Sequence, residues 1–177
     1  MMTNILNINK NDVSFDNLAT KDFAKIVKLR KSNLAKMFDS YYETPHRLSE
    51  IAIIRGVHFI DDTSSININR TWFSMEKISM PIIWIVPCEA MNNNLEAITD
   101  TVNEKVKIIV TYGQNSVITT FNGVVKTVIN EASLEEAIKT AYMYALEDDA
   151  IVFSPSTGNL EDVSFKAWTF INTVKEL

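Results

Sequence analysis

Residues 49–62 read SEIAIIRGVHFIDD, two apolar, β-branched runs of strand length that meet at Arg55-Gly56. A glycine at such a break marks a tight hairpin, because the reversal needs left-handed backbone that glycine adopts without steric cost. Downstream, MPIIWIVP (80–87), KVKIIVTY (105–112), GVVKTVI (123–129) and DAIVFSP (149–155) are again apolar runs of strand length. Amphipathic segments separate them at about 67–77, 94–103, 114–121 and 132–147, and a last helix is expected at about 162–176. Strands alternating with helices predict βαβ units and a mostly parallel sheet covered on both faces. Ser133 followed by Glu136 ahead of AIKTAYMYAL is a capping box and starts the helix there.

Upstream of the hairpin, residues 1 to about 19 are polar and Asn-rich. From Lys21, the residues Phe23, Ile26, Val27, Leu34, Met37 and Phe38 recur at helical spacing, while Lys25, Lys28, Lys31 and Lys36 take the opposite, solvated face. The pattern predicts an amphipathic helix at about 20–40 within a lead-in of residues 1–45, followed by one domain over 46–177. The length of 177 residues, with 46% hydrophobic and 22% charged, fits a single folded domain with a short appendage and excludes disordered and low-complexity classes.

The same arithmetic bounds function. A net charge of −5 argues against a nucleic-acid partner, since affinity for phosphate backbones comes from clustered Lys and Arg. The lone Cys88 makes no intramolecular disulfide, and with His46 and His58 it is a poor set of soft metal ligands, so no metal site is expected. The amino terminus has no signal pattern and the longest apolar stretch, MPIIWIVPC, is too short to span a bilayer, so the expectation is a cytoplasmic chain with no membrane contact. The four glycines, Gly56, Gly113, Gly123 and Gly158, are followed by Val57, Gln114, Val124 and Asn159, so neither a P-loop nor a GxGxxG turn occurs.

Ligands of open parallel sheets bind beyond the carboxyl ends of the strands. There the sequence places Asp61-Asp62-Thr63-Ser64, Cys88-Glu89-Ala90-Met91, Tyr112-Gly113-Gln114 and Ser154-Pro155-Ser156-Thr157. These groups contain no paired nucleophile and base and no cationic oxyanion stabiliser, so no catalytic residue is expected. Cys88 reads as a small buried hydrophobe, His58 as outward-facing, and Trp72, Phe73, Met75, Trp168 and Phe170 as core. Tyr41-Tyr42 reads as packing of the lead-in helix.

The run TPHRLSEIAIIRGVHFIDDTSSININRTWFSME (44–76), then PIIWIV, EKVKIIVTYG and DDAIVFSPS with a helical tail, resembles the carboxy-terminal domain of a Mur ligase, nearest the D-glutamate-adding MurD branch. Order and spacing match over roughly residues 25–177. The resemblance implies an α/β fold: a Rossmann-like three-layer sandwich whose mixed six-stranded sheet has the hairpin's first strand as its antiparallel edge. It also implies a domain that normally works as one third of an enzyme, beside a UDP-sugar domain and a P-loop ATPase. Residues 9–19 stand where the family ends its central domain, with Asn9, Asn11 and Asp12 in place of Gly, His and Asn.

By the same resemblance, Arg47 and Asp62 occupy the positions that face the nucleotide's ribose and phosphates, and Asn67, Ser154 and Pro155 are retained. The phosphate-contacting lysine is Ser64, the nearby threonine Ile66, the lysine opposite the D-glutamate side chain Met91 with Ala90 before it, and the serine of the last motif Asn159. The ligand-pocket candidates are thus Ser64, Asn67, Met91, Ser154 and Asn159, and His46 belongs to the family's His-Arg pair. A structural alternative stands beside the nucleotide role: Arg47 and Asp62 pair with each other, or Asp62 caps the helix that starts near Asn67. The expected function is a ligand-binding or regulatory module linked to peptidoglycan precursor synthesis, without ligase activity or cofactor of its own. A Mur ligase chain is a candidate partner; the alternatives are an acceptor-binding subunit of a split ligase, with ATP and Mg²⁺ handled by an ATPase partner chain, or a structural module that self-associates.

Overall fold

A computed structural model describes residues 44–92, 95–113, 126–159 and 161–177. The chain divides into compact units Met1–Glu43 and Thr44–Leu177, and the described residues all belong to the second. The expected lead-in helix, the 9–19 stretch, Tyr41-Tyr42 and the segment at 114–121 lie outside the described residues.

The hairpin forms as read. Strands β1 (Ser49–Ile54) and β2 (Val57–Asp61) pair antiparallel, with Ile54 opposite Val57. Arg55 and Gly56 at the turn both have left-handed backbone, φ 52° and 78°, the requirement of a two-residue turn whose twist suits its strands. A Cβ on Gly56 would stand 2.7 Å from Glu147 Cγ. Gly56→Ala is therefore expected to cost roughly 1–2 kcal/mol from backbone strain before the glutamate shifts, and denaturant unfolding measures it.

After β2 come α1 (Ile68–Lys77), β3 (Ile82–Pro87), two 3₁₀ turns (Cys88–Asn92 and Leu95–Ile98), α2 (Thr99–Lys105) and β4 (Val106–Tyr112). The chain continues through β5 (Thr127–Glu131), α3 (Leu134–Tyr144), β6 (Ala150–Phe153) and α4 (Val163–Lys175). The sheet order is β1-β2-β6-β3-β4-β5, and every pairing except β1 with β2 is parallel. The fold is thus a mixed six-stranded α/β sheet with an antiparallel edge. The last strand in sequence sits between β2 and β3.

Alternation along β3 divides the core. Ile82, Trp84 and Val86 pack with Met75, Ile98 and Val102 on the face of α1 and α2, while Ile83 and Ile85 pack with Ile138, Phe153 and Phe170 on the face of α3 and α4. Both faces of a parallel sheet must be apolar for this, hence the unbroken runs seen in the sequence. Among the described residues, no helix is long and apolar enough to cross a membrane.

Local chemistry refines several expectations. Ser133 accepts from the Glu136 N–H at 3.2 Å, but the return arm from Glu136 goes to the Ala132 N–H. The segment expected at 94–103 is a 3₁₀ turn followed by α2, whose last residue, Lys105, donates its ammonium to the carbonyls of Met75, Glu76 and Ile78 and so caps α1. Trp72 and Trp168, read as core, are 38% and 64% exposed. Trp72 lies across α2 with its Nε1–H on Thr101 Oγ1 at 3.1 Å, while Trp168 shares the outer face of α4 with Phe165; the buried residues of that helix include Ala167, Phe170 and Val174.

Candidate functional site

The parallel strands end on one edge of the sheet, where residues 61–65 after β2 and 154–156 after β6 meet the segment 45–48. That segment carries two non-glycine residues in left-handed backbone, His46 at φ 59° and Leu48 at φ 45°. Such conformations persist only where the surroundings impose them. Here the Ser64 N–H donates to His46 O at 2.9 Å, the Ser64 hydroxyl to Pro45 O, and the Leu48 N–H to Asp62 Oδ1 at 3.2 Å. Two adjacent aspartates divide the work: Asp62 takes the Leu48 backbone and Asp61 takes the side chain of His46, Nδ1 to Oδ2 at 2.8 Å.

Asp62 has no solvent exposure. Its Oδ2 accepts from the Ser154 hydroxyl at 2.8 Å, and Ser154 is linked to Thr71 Oγ1 at 2.9 Å, which accepts from the Ser156 hydroxyl at 2.7 Å. Ser65 and Ser74 form a second hydroxyl pair at 3.3 Å, with Arg47 Nη1 3.5 Å from Ser65 Oγ and the guanidinium 5.7 Å from the centre of the Phe73 ring. Burial pushes the Asp62 carboxyl up to about 6, against the pull of Ser65, Ser154, Ser74 and Arg47 in the other direction. The Trp84 indole closes the floor by donating to Ser154 O at 2.8 Å.

Arg47, Asp62 and Ser154 are thus brought into one buried lattice, and Ser64 is buried beside them with its hydroxyl on the 45–48 segment. Of the two structural alternatives, capping by Asp62 does not occur: Asn67 is the N-cap of α1 and accepts from the Arg70 N–H at 3.1 Å. The other candidates stand apart. Met91 is buried in the apolar cluster under α1 and α2, and Asn159 is exposed, accepting from the Asp162 N–H at 3.0 Å ahead of α4. Cys88 is buried at the end of β3, and His58 pairs with the exposed Glu50 at 2.7 Å. Among the described residues, no group of three His, Cys, Asp or Glu is placed to hold a metal ion.

The sequence places Ser156 at a strand end, but it did not single out Ser65, Thr71 and Ser74 or the His46–Asp61 pair. Part of the signal was present. Thr71 and Ser74 are three residues apart, hence neighbours on one helix face, and that face is the one turned to the strand ends.

No family model matches the chain. It is similar to the UDP-N-acetylmuramoylalanine–D-glutamate ligase of Christiangramia forsetii, 25% identical over 146 residues that cover 81% of this chain and 33% of that protein. The ligase of the same name from Cytophaga hutchinsonii is 28% identical over 124 residues, 69% of this chain and 28% of that one. The chain spans about a third of the length of these curated relatives. Among solved structures, a MurF ligase from Thermotoga maritima in complex with ADP superposes over 75% of this chain and 32% of its own, with TM-score 0.47 and 10% identity. The sequence relatives are Mur ligases of the D-glutamate-adding branch, the branch the motifs resemble.

Proposed function

We propose that this chain is a ligand-binding or regulatory module of Mur-ligase type, linked to peptidoglycan precursor synthesis and without ligase turnover by itself. The observation that carries the reading is the fate of the two positions at which the resemblance expects lysine. Ser64 spends its hydroxyl on the Pro45 carbonyl, and Met91 is packed into the apolar core. Acyl-phosphate chemistry needs cations against the transferred phosphoryl group and against the acceptor carboxylate. Loss of one buried cation opposite a carboxylate costs on the order of 2–5 kcal/mol, roughly thirty-fold to several-thousand-fold in binding or rate.

The test has two arms. The purified chain, given ATP, Mg²⁺, UDP-N-acetylmuramoyl-L-alanine and D-glutamate, is expected to release no phosphate above background, and ligase-like release would overturn the reading. In the second arm, thermal unfolding is followed with UDP-muramoyl precursors, nucleotides and D-glutamate added singly. At least one is expected to raise the midpoint, since anything that binds the folded state alone must stabilise it. If none does, the module has no ligand and the reading fails.

A second reading rests on Arg47 and Asp62, which stand where the resemblance puts nucleotide contacts and lie in one buried lattice. In it the chain is the acceptor-binding subunit of a split ligase, with Ile66 making the acceptor side more apolar, and a partner chain binds ATP and Mg²⁺. Restored ATP turnover on mixing with a co-purifying ATPase chain would support it, and turnover unchanged by mixing would count against it.

A further inference from the structure

The two histidines of the sequence both meet a carboxylate through Nδ1, yet the pairs differ in kind. His58 faces Glu50, which is about half exposed. His46 faces Asp61, whose side chain is 1% exposed while that of His46 is 32% exposed. The second Asp61 oxygen, Oδ1, is already taken by the Thr63 N–H at 3.0 Å and by the Thr63 hydroxyl. A carboxylate only accepts, so when the His46 ring carries one proton that proton resides on Nδ1, and Nε2 presents a lone pair with no hydrogen-bond partner among the described residues. The ring is held in place twice, by Asp61 and by its own left-handed backbone at φ 59°.

We propose that His46 Nε2 is a ligand-facing hydrogen-bond acceptor at the carboxyl edge, with Asp61 as its positioning residue, and that it takes an O–H or N–H donor of the bound molecule. This rests on the reading of that edge as the ligand site. With one proton on the ring, the chemical class is a hydroxyl or ammonium group, because a lone pair fixed in place attracts a proton donor and repels an anion. The geometry also says what Asp61→Asn does. The Thr63 N–H keeps the amide oxygen at the Oδ1 position, so the amide NH₂ faces His46 Nδ1, forces that nitrogen to accept, and moves the ring proton to Nε2.

Nitrogen-15 NMR of histidine-labelled full chain tests this with only two residues to assign. His46 is expected as the Nδ1–H tautomer in the native protein and as the Nε2–H tautomer in Asp61→Asn, with His58 unchanged; an Nε2–H tautomer or an imidazolium in the native protein overturns the proposal. In a second arm, ADP, UDP and D-glutamate are added singly, with sulfate as a control that offers no donor. At least one donor-bearing probe is expected to shift His46 Nε2, and sulfate is not. If a probe raises the melting point without moving His46, the proposal falls while the ligand-site reading stands. If no probe does either, both fall, and a sulfate response equal to the others overturns the donor class. Should Asp61→Asn fail to fold, His46→Gln is expected to weaken the responding probe roughly tenfold, and unchanged affinity would overturn the proposal.

Discussion

Asp62→Asn is expected to remove a pH-dependent loss of stability of about 3 kcal/mol that the native chain undergoes between about pH 4 and 6. The Asp62 carboxyl goes from 3.8 in the unfolded chain to about 6 in the fold, so between those values the folded state binds more protons than the unfolded state. Stability then falls as pH rises through this window. The contribution of this group is fully present below about pH 3.8 and fully lost above about pH 6. Asparagine keeps the shape and cannot ionise. Its carbonyl still accepts the Leu48 N–H, and the Ser154 hydroxyl, linked to Thr71 Oγ1, turns to accept the new NH₂. The check is denaturant unfolding of both proteins across the range. The advantage of the variant over the native chain is expected to grow by about 3 kcal/mol from pH 3 to pH 7 and then level off. A difference that stays flat with pH would mean that the carboxyl is not held in a dry lattice.

Met91→Lys is expected to destabilise the chain by about 3 kcal/mol and to confer no D-glutamate binding. The resemblance would suggest the opposite, that returning lysine to this position restores a cationic acceptor site. The packing argues against it. Met91 is 8% exposed and shares a cluster with Trp84, Val86, Ile98 and Val102, so an ammonium there either stays buried without a partner or drags the stem out of the core. Chemical denaturation measures the cost, and titration with D-glutamate measures the gain. A stable variant that binds the amino acid would show that the acceptor pocket survives beneath Met91.

Much of the fold was legible because its determinants are local. The hairpin is written in Arg55-Gly56 between two β-branched runs, and the two covered faces are written in the unbroken apolar stretch Ile82–Val86. The α3 cap is written in Ser133. Exposure of Trp72 and Trp168 was not legible, because an aromatic residue at core spacing becomes surface when the neighbouring helix covers only part of the stripe. The candidate site was legible as a list of strand ends and opaque as chemistry. The hydroxyl of Thr71 looks like that of an ordinary helix residue until β6 brings Ser154 and Ser156 beside it.

By itself the sequence determined most of the strands and helices, that the sheet is parallel behind one antiparallel hairpin, and that serine and methionine stand where the resemblance expects lysine. These follow from periodicity, turn stereochemistry and residue identity, all of which act within a few residues. Only the tertiary structure decided that Asp62 is sealed against Ser154, 92 residues away, and that Asp61 turns to His46. It also decided that Met91 has become core. The physical reason is the insertion of β6 between β2 and β3: desolvation and hydrogen bonding depend on which distant groups exclude water together, and no local pattern encodes that.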